Sequence, residues 1–355
     1  MSLANRKVWD GIPALTPLAW AYRGGVSVVR ALRAPGRPAA PTPRVVAVGN
    51  LEVGGSGKTP LCLLLLERGM RAGKRVAYAS RGFGSAAEQG PLVTIVLPDG
   101  APPPASFAGL RLLTRAADNL PLAIGDEGAL VARRAPAAWL VFARDKQRAV
   151  EAAARLHADV VVVDDAFQSF ALARHTDVVL LDARRPLANG RVLPAGRLRE
   201  APPALARADV IVFNGAADVH AIEEARGRVA RWLRPEQRIF GLRRRLTLAP
   251  STPGAVGAPN DVVLVSGIAR PDDFRASVED TGVRVTDAVR FRDHHRYTSD
   301  DIRVLRTHAG GRGLVTTEKD WVKLERFDWE NTAVWVARLD VALVGADDEA
   351  AWLFG

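Results

Sequence analysis

A doubly wound α/β fold with a mostly parallel sheet, followed by a second, smaller α/β domain, is what this sequence predicts. Three observations lead there. Short apolar runs recur along the chain and end in polar or small residues, as buried parallel strands do at their C-termini. Helix-length segments alternate with them. The composition then shifts at TLAPSTPGAVGAPND (247–261), beyond which apolar runs resume.

The elements follow in order. Within residues 8–33, Leu18, Tyr22, Val26 and Val29 recur at helical spacing, while Arg23, Ser27 and Arg30 fall on another face. Trp9, Trp20 and Tyr22 are residue types favoured at membrane interfaces. The spacing predicts an amphipathic basic helix, weakened by Gly24-Gly25, that either lies on an anionic membrane surface or packs on the domain. RAPGRPAAPTPR (33–44) reads as a linker. VVAVGN (45–50), RVAYAS (75–80), VVVVDD (160–165), VVLLD (178–182) and DVIVFN (209–214) read as strands, TPLCLLLLERGMRAGK (59–74) as a helix and PDGAPPPAS (98–106) as a surface loop. VVLVSGI (262–268), GLVTT (313–317) and TAVWVARL (332–339) supply the smaller domain. The domains are therefore expected at 1–44, 45–246 and 247–355.

Composition narrows the function. Of 355 residues, 48% are hydrophobic, enough for a large core. Lys and Arg total 49 against 39 Asp and Glu, a net charge of +10 that favours anionic partners. No RNP motif, zinc-finger spacing or dense Lys/Arg block is present, which argues against nucleic acid. The single cysteine, Cys62 in LCLLLL, rules out an internal disulfide and a Cys-based zinc site. No secretory pattern and no apolar run of about 20 residues is found.

The strongest local signal is VAVGNLEVGGSGKTP (46–60), a strand, a glycine-rich loop, Lys58-Thr59 and an apolar helix. This is the context a phosphate-binding P-loop needs. Gly54, Gly55, Ser56 and Gly57 let successive N–H groups converge on phosphate oxygens, and the helix N-terminus adds its partial positive charge. Lys58 is expected to reach the β- and γ-phosphates and the Thr59 hydroxyl to bind Mg²⁺. Glu52 stands where the strict pattern has glycine. The sheet is thus expected to be of the P-loop NTPase type. Asp164 and Asp165 end the run VVVVDD, where such sheets bind ligands, and suit Mg²⁺ as hard oxygen donors. No Asn-Lys-x-Asp run follows a strand; TTEKD (316–320) does not match, so ATP is expected over GTP.

On the acceptor side, IGDEGALVARR (124–134) presents Asp126 and Glu127 at the start of a helix-like segment. On the residues alone this is either a proton-accepting carboxylate or a helix cap with an acidic first turn. FRDHHRYT (291–298) places two histidines beside Asp293, suited to orienting a carboxylate rather than to chelating an ion. ANGRVLPAGRLREAP (188–202) holds Arg191, Arg197 and Arg199, either an anion-binding loop or a solvated basic one.

Together VGNLEVGGSGKTP (48–60), SRGFG (80–84), GDE (125–127), DDAFQ (164–168), NGRVLPAGRLRE (189–200), SGIARPDDF (266–274), DHHRYT (293–298) and TTEKDWVKL (316–324) resemble the lipid A 4′-kinases, the tetraacyldisaccharide 4′-kinase family. The family's loop shares the departure at Glu52, whereas Ala166 and Phe167 differ from its DDGLQ-type segment. The resemblance implies transfer of the ATP γ-phosphate to the 4′-hydroxyl of a tetraacylated disaccharide 1-phosphate. It implies a glycolipid substrate, no evident protein partner, and a peripheral place on the cytoplasmic face of the bacterial inner membrane. It implies two α/β lobes and a hinge. By matched position it implies Asp126 as base, His294 as its partner and Lys58 and Thr59 as loop contacts. Asp164, Asp165 and Glu200 fall to the metal side, Glu127 to the nucleotide, and Arg81 and Arg199 to the substrate. The residues alone also fit a P-loop kinase or ligase acting on a soluble small molecule, or an ATPase switch.

Overall fold

The computed structural model describes residues 15–33, 43–54, 57–103, 109–117 and 119–345. Residues 1–14 of the expected membrane-associating segment, and 34–42 of the linker, lie outside the described residues. So do 104–106 of the expected loop.

The chain divides into two compact units. The first takes the described residues within Met1–Ser80, Asp145–Arg243 and Ala342–Gly355, and the second those within Arg81–Arg144 and Arg244–Val341. The boundary expected at 246/247 falls close to the observed crossing at 243/244. The segment 81–144, grouped by sequence with 45–246, belongs instead with the C-terminal part. Long-range charge pairs hold it there. Arg134 pairs with Glu318 at 3.0 Å and with Asp340 at 2.6 Å.

In the first unit five strands run parallel in the order Val210–Asn214, Thr176–Asp182, Arg44–Asn50, Val160–Val163, Val76–Ser80. Arg238–Pro250 begins beside the first of these, also parallel. Arg44–Asn50 sits at the point where the winding reverses, with Val160–Val163 on one side and Thr176–Asp182 on the other. A doubly wound sheet binds its ligand beyond the C-terminal ends of such strands. Asn50, Asp164 and Asn214 all stand at or just past those ends. Val and Leu dominate these strands because both faces are covered; Val46, Val48, Val161 and Val163 are fully buried.

The segment Asp164–Gln168 passes close over the central strand. A Cβ on Gly49 would lie 2.5 Å from Phe167 Cβ, so only glycine fits there. Phe167, one of the departures from the family pattern, is buried, with the Arg207 guanidinium 4.3 Å from its ring centre.

The N-terminal helix is Thr16–Arg33 and runs through Gly24-Gly25 without a break. Ala19 is buried in the first unit's core, with Tyr22 packed against it. Leu18, Trp20, Val28, Val29 and Leu32 are exposed. Leu18 and Val29 thus face away from the packed side, in contrast to the face drawn from spacing. Among the described residues no helix is long and apolar enough to cross a membrane.

The second unit contains two ladders. Arg284–Arg290, Asp261–Ser266, Gly313–Thr317 and Val334–Val344 run parallel in that order. Leu110–Leu113 pairs parallel with Val93–Val96, which pairs antiparallel with Trp139–Phe142. Leu305, Leu314, Trp321, Leu324 and Trp329 form the core under the first ladder.

Candidate active site

The phosphate loop is assembled by the first unit. Gly54 has φ 113° and Gly57 φ 87°, backbone that glycine adopts freely. A Cβ at Gly57 would also meet Asn214 Nδ2 at 2.7 Å. Gly55 and Ser56 lie outside the described residues. Lys58 opens the helix Lys58–Arg71, with Thr59 buried behind it. Lys58 Nζ donates to Asn50 Oδ1 at 3.3 Å and pairs with Asp165 Oδ1 at 3.3 Å.

The loop's unusual Glu52 has a structural partner. NGRVLPAGRLRE runs beside the approach to the loop: Val53 N donates to Arg197 O at 2.9 Å, and Arg199 N to Leu51 O at 2.6 Å. The Arg197 guanidinium donates to Val53 O at 3.0 Å and lies 3.9 Å from Glu52. A carboxylate at 52 therefore helps tie these two segments together.

The acids past the strand Val160–Val163 play different parts. Asp164 is buried, accepts from Tyr78 Oη at 2.7 Å and takes the Asp165 N–H at 2.7 Å. Asp165 has φ 49°, a left-handed conformation that is strained outside glycine. Its two carboxylate oxygens share one Arg199 guanidinium nitrogen, Nη1, at 2.8 and 2.9 Å. Burial pushes the Asp165 carboxyl up, but Lys58, Arg199 and Lys146 outweigh it and hold it well below the ordinary range. Lys146 also donates to the Asp165 carbonyl oxygen. Arg199, expected at the substrate, is therefore engaged by Asp165. Glu200 is buried and held by Arg207 at 2.8 and 2.9 Å and by Gln168 at 3.1 Å. The expected ligands do not close into a metal centre by themselves: among the described residues no three His, Cys, Asp or Glu side chains cluster as one. Mg²⁺ bound to a nucleotide needs only one or two carboxylates beside phosphate and water, so the hard oxygens of Thr59, Asp164 and Asp165 fit that role.

The second unit builds a separate constellation. Gly125, with φ 85°, occupies the cap of the helix Asp126–Arg134, and no side chain caps it. Asp126 is thereby released from the capping role that the residues alone left open. Its Oδ2 lies 3.2 Å from His294 Nδ1 and 2.9 Å from Lys323 Nζ. Lys319 Nζ lies 3.4 Å from His294 Nε2 and 2.9 Å from Asp293 Oδ1. An ammonium only donates, so Nε2 accepts and Nδ1 carries the proton given to Asp126. His294 itself has φ 61°. Burial pushes the Asp126 carboxyl up; the His294 hydrogen bond and the Lys323 charge outweigh it, leaving it below its ordinary value. His295 turns elsewhere, to Asp301 at 3.1 Å and onto the Phe291 ring. Glu127 and Arg81 are both exposed.

Comparison with known proteins decides the family. The family model described as tetraacyldisaccharide-1-P 4′-kinase matches residues 12–354. This chain belongs to the tetraacyldisaccharide-1-P 4′-kinase family. A relative from Halorhodospira halophila named tetraacyldisaccharide 4′-kinase is 35% identical over 334 residues, covering 91% of this chain and 88% of that one. One of the same name from Hyphomonas neptunium is 36% identical, covering 93% and 90%. The fold is similar to that of LpxK from Aquifex aeolicus, solved in complex with ATP, with TM-score 0.68 and 24% identity over 96% of each chain. The family match spans both constellations, from the phosphate loop to Lys323.

Lys319 and Lys323, both within TTEKDWVKL, join the site although the sequence reading did not expect them there. A signal was present: two lysines four apart in a seven-residue helix whose Trp321, Val322 and Leu324 are buried.

Proposed function

We propose that this kinase transfers the γ-phosphate of ATP to the 4′-hydroxyl of a tetraacyldisaccharide 1-phosphate, a step of lipid A synthesis. The observation that carries the reading is Asp126: a phosphate-loop protein that only hydrolysed ATP as a switch would not need an ionised, part-buried carboxylate tied to an imidazole. Family membership supplies the acceptor.

The first unit holds the phosphates. Backbone amides of the loop and Lys58 neutralise the triphosphate. For this Lys58 exchanges Asp165 and Asn50 for phosphate oxygen. Thr59 and the Asp164–Asp165 pair would hold Mg²⁺, which would supply charge neutralisation on the phosphates. Asp164, fixed by Tyr78, keeps its oxygens oriented, and Glu200 braces the same segment through Gln168 rather than reaching metal.

The second unit takes the proton. As the 4′-oxygen bonds to the γ-phosphorus and the bond to the ADP oxygen breaks, the hydroxyl proton passes to Asp126. A weak base suffices because the proton becomes acidic as the new bond forms. His294 donates Nδ1–H to the carboxylate and keeps it oriented. By matched position, exposed Arg81 serves the substrate's 1-phosphate and Glu127 the nucleotide side.

The exposed Leu18, Trp20, Val28, Val29 and Leu32 rest on the cytoplasmic face of the inner membrane, where the acyl chains keep the substrate. Incubation with Mg²⁺-ATP and the disaccharide 1-phosphate in lipid–detergent micelles should yield a product one phosphate heavier by mass spectrometry. Folded protein that transfers only to a water-soluble acceptor would favour the small-molecule kinase instead.

A further inference from the structure

We propose that Lys323 is a positioning residue for phosphoryl transfer: it fixes Oδ2 of Asp126 so that Oδ1 is the atom left to receive the acceptor's proton. The proposal rests on Asp126 being the base of the reaction described above.

Both partners of the carboxylate take the same oxygen. Lys323 Nζ lies 2.9 Å from Oδ2 and His294 Nδ1 3.2 Å from it, and among the described residues nothing bonds to Oδ1. A carboxylate gripped on one side only by the imidazole could still turn about its terminal torsion, which is broad and two-fold. A second donor on the same atom, arriving from a different element, removes that freedom.

Lys323 is built for this. Its side chain is 8% exposed and that of Asp126 11%. A lysine ammonium so far from water needs fixed anionic partners. Its other partner is Asp320 at 3.4 Å, with a side chain that is completely buried. Asp320 is pinned in turn by Gly267 N at 2.9 Å and Thr317 Oγ1 at 2.8 Å. The Tyr297 ring lies 5.3 Å from the ammonium. Arg134, on the helix that Asp126 opens, bonds both Glu318 oxygens at 3.0 Å, so the helices carrying base and lysine are fastened at a second point. A surface ion pair would show none of this anchoring. Lys323 touches neither phosphate nor acceptor in this account; it acts through Asp126.

The test uses the full chain with Mg²⁺-ATP and the disaccharide 1-phosphate. Transfer by the wild type comes first, since its absence would remove the proposed function and not this inference alone. Lys323→Met should lower kcat about 10²-fold while KM for ATP and for the acceptor stay within about 3-fold. Lys323→Arg, which keeps the charge but not the geometry, should lose only about 10-fold. In an Asp126→Ala background, adding Lys323→Met should cause no further loss, because residues acting as one unit are not additive. Wild-type kcat in Lys323→Met overturns the proposal and leaves the proposed function standing. If Lys323→Met alone is too unstable to assay, the double variant decides. With both charges gone it should melt higher than Lys323→Met and turn over at the Asp126→Ala rate. A further drop in rate would place Lys323 outside the base's machinery.

Discussion

The phosphate loop of the first unit and the carboxylate of the second are built in opposite ways. The loop is local: Asn50, Gly54, Gly57, Lys58 and Thr59 lie within ten residues, and their positions follow from a strand, a glycine turn and a helix in succession. The carboxylate is assembled from afar: Asp126 meets His294 across 168 positions and Lys323 across 197. Yet both sites hold a non-glycine residue in left-handed backbone, Asp165 in one and His294 in the other. Such a residue costs on the order of 1–3 kcal/mol and persists only where its surroundings fix it. Asp165 is fixed by three cations and His294 by Asp126, Lys319 and its own loop. On the roles proposed for them, phosphate binding thus depends mainly on backbone, whereas proton transfer depends on tertiary packing.

That contrast breaks first at Lys58. Lys58→Ala should reduce kcat/KM for transfer by roughly 10³-fold, with nucleotide binding weakened in equilibrium titration. Tight ATP binding with normal turnover would show that the loop does not hold the triphosphate. Asp126→Ala should be the complement. Loss of a general base lowers kcat about 10²–10⁴-fold, with KM for ATP nearly unchanged in steady-state assays. A large rise in KM for ATP instead would mean that the two sites do not divide the work as described.

How far each half was legible follows from the same difference. The central strands and the strand–loop–helix succession around Lys58 were read correctly because strong valine runs and glycines sit next to one another; the run read as a strand over 160–165 ends at Val163, with Asp164 and Asp165 in the turn beyond. Thr16–Arg33 was also foreseen as a helix, though not which apolar residues turn outward. Val93–Val96 and Leu110–Leu113 were missed: each is four residues long and carries too little periodicity. Arg238–Pro250 was missed because its arginine run reads as a solvated segment, and Arg243, Arg244 and Arg245 are indeed exposed. The residues alone left Asp126 open between base and cap; only family resemblance favoured the base, and only the structure shows Gly125 taking the cap. No local pattern could show that 81–144 belongs with 244–341, or that Arg199 and Glu200 would be occupied by Asp165 and Arg207.

Two smaller effects sharpen the picture of the first unit. Leu32→Asp on the exposed face of the N-terminal helix should weaken sedimentation with anionic vesicles about 10-fold or more, since burying one such side chain contributes about 1.5–3 kcal/mol. Equal vesicle binding would take that face off the membrane. Asp177, at the opposite end of the sheet from the phosphate loop, gives the smallest effect. Burial pushes its carboxyl up to about 6 despite the Arg174 charge, and Asp209 adds to the rise. The unfolded chain releases this proton near pH 4, the folded one near 6, so stability falls as pH rises through that window. Asp177→Asn should therefore raise Tm at pH 8, by roughly 2–4 °C per kcal/mol recovered, and do so less below pH 4. An equal gain at both pH values would assign the effect to packing rather than to ionisation.

Single-turnover transfer by Asp126→Ala, preloaded with labelled Mg²⁺-ATP and mixed with the disaccharide 1-phosphate, is the most direct measurement. The proposed role of Asp126 predicts nucleotide bound as in the wild type, with label entering the 4′-position at least about 10²-fold more slowly. Label arriving at the wild-type rate would contradict it, because the proton would then be leaving by another route.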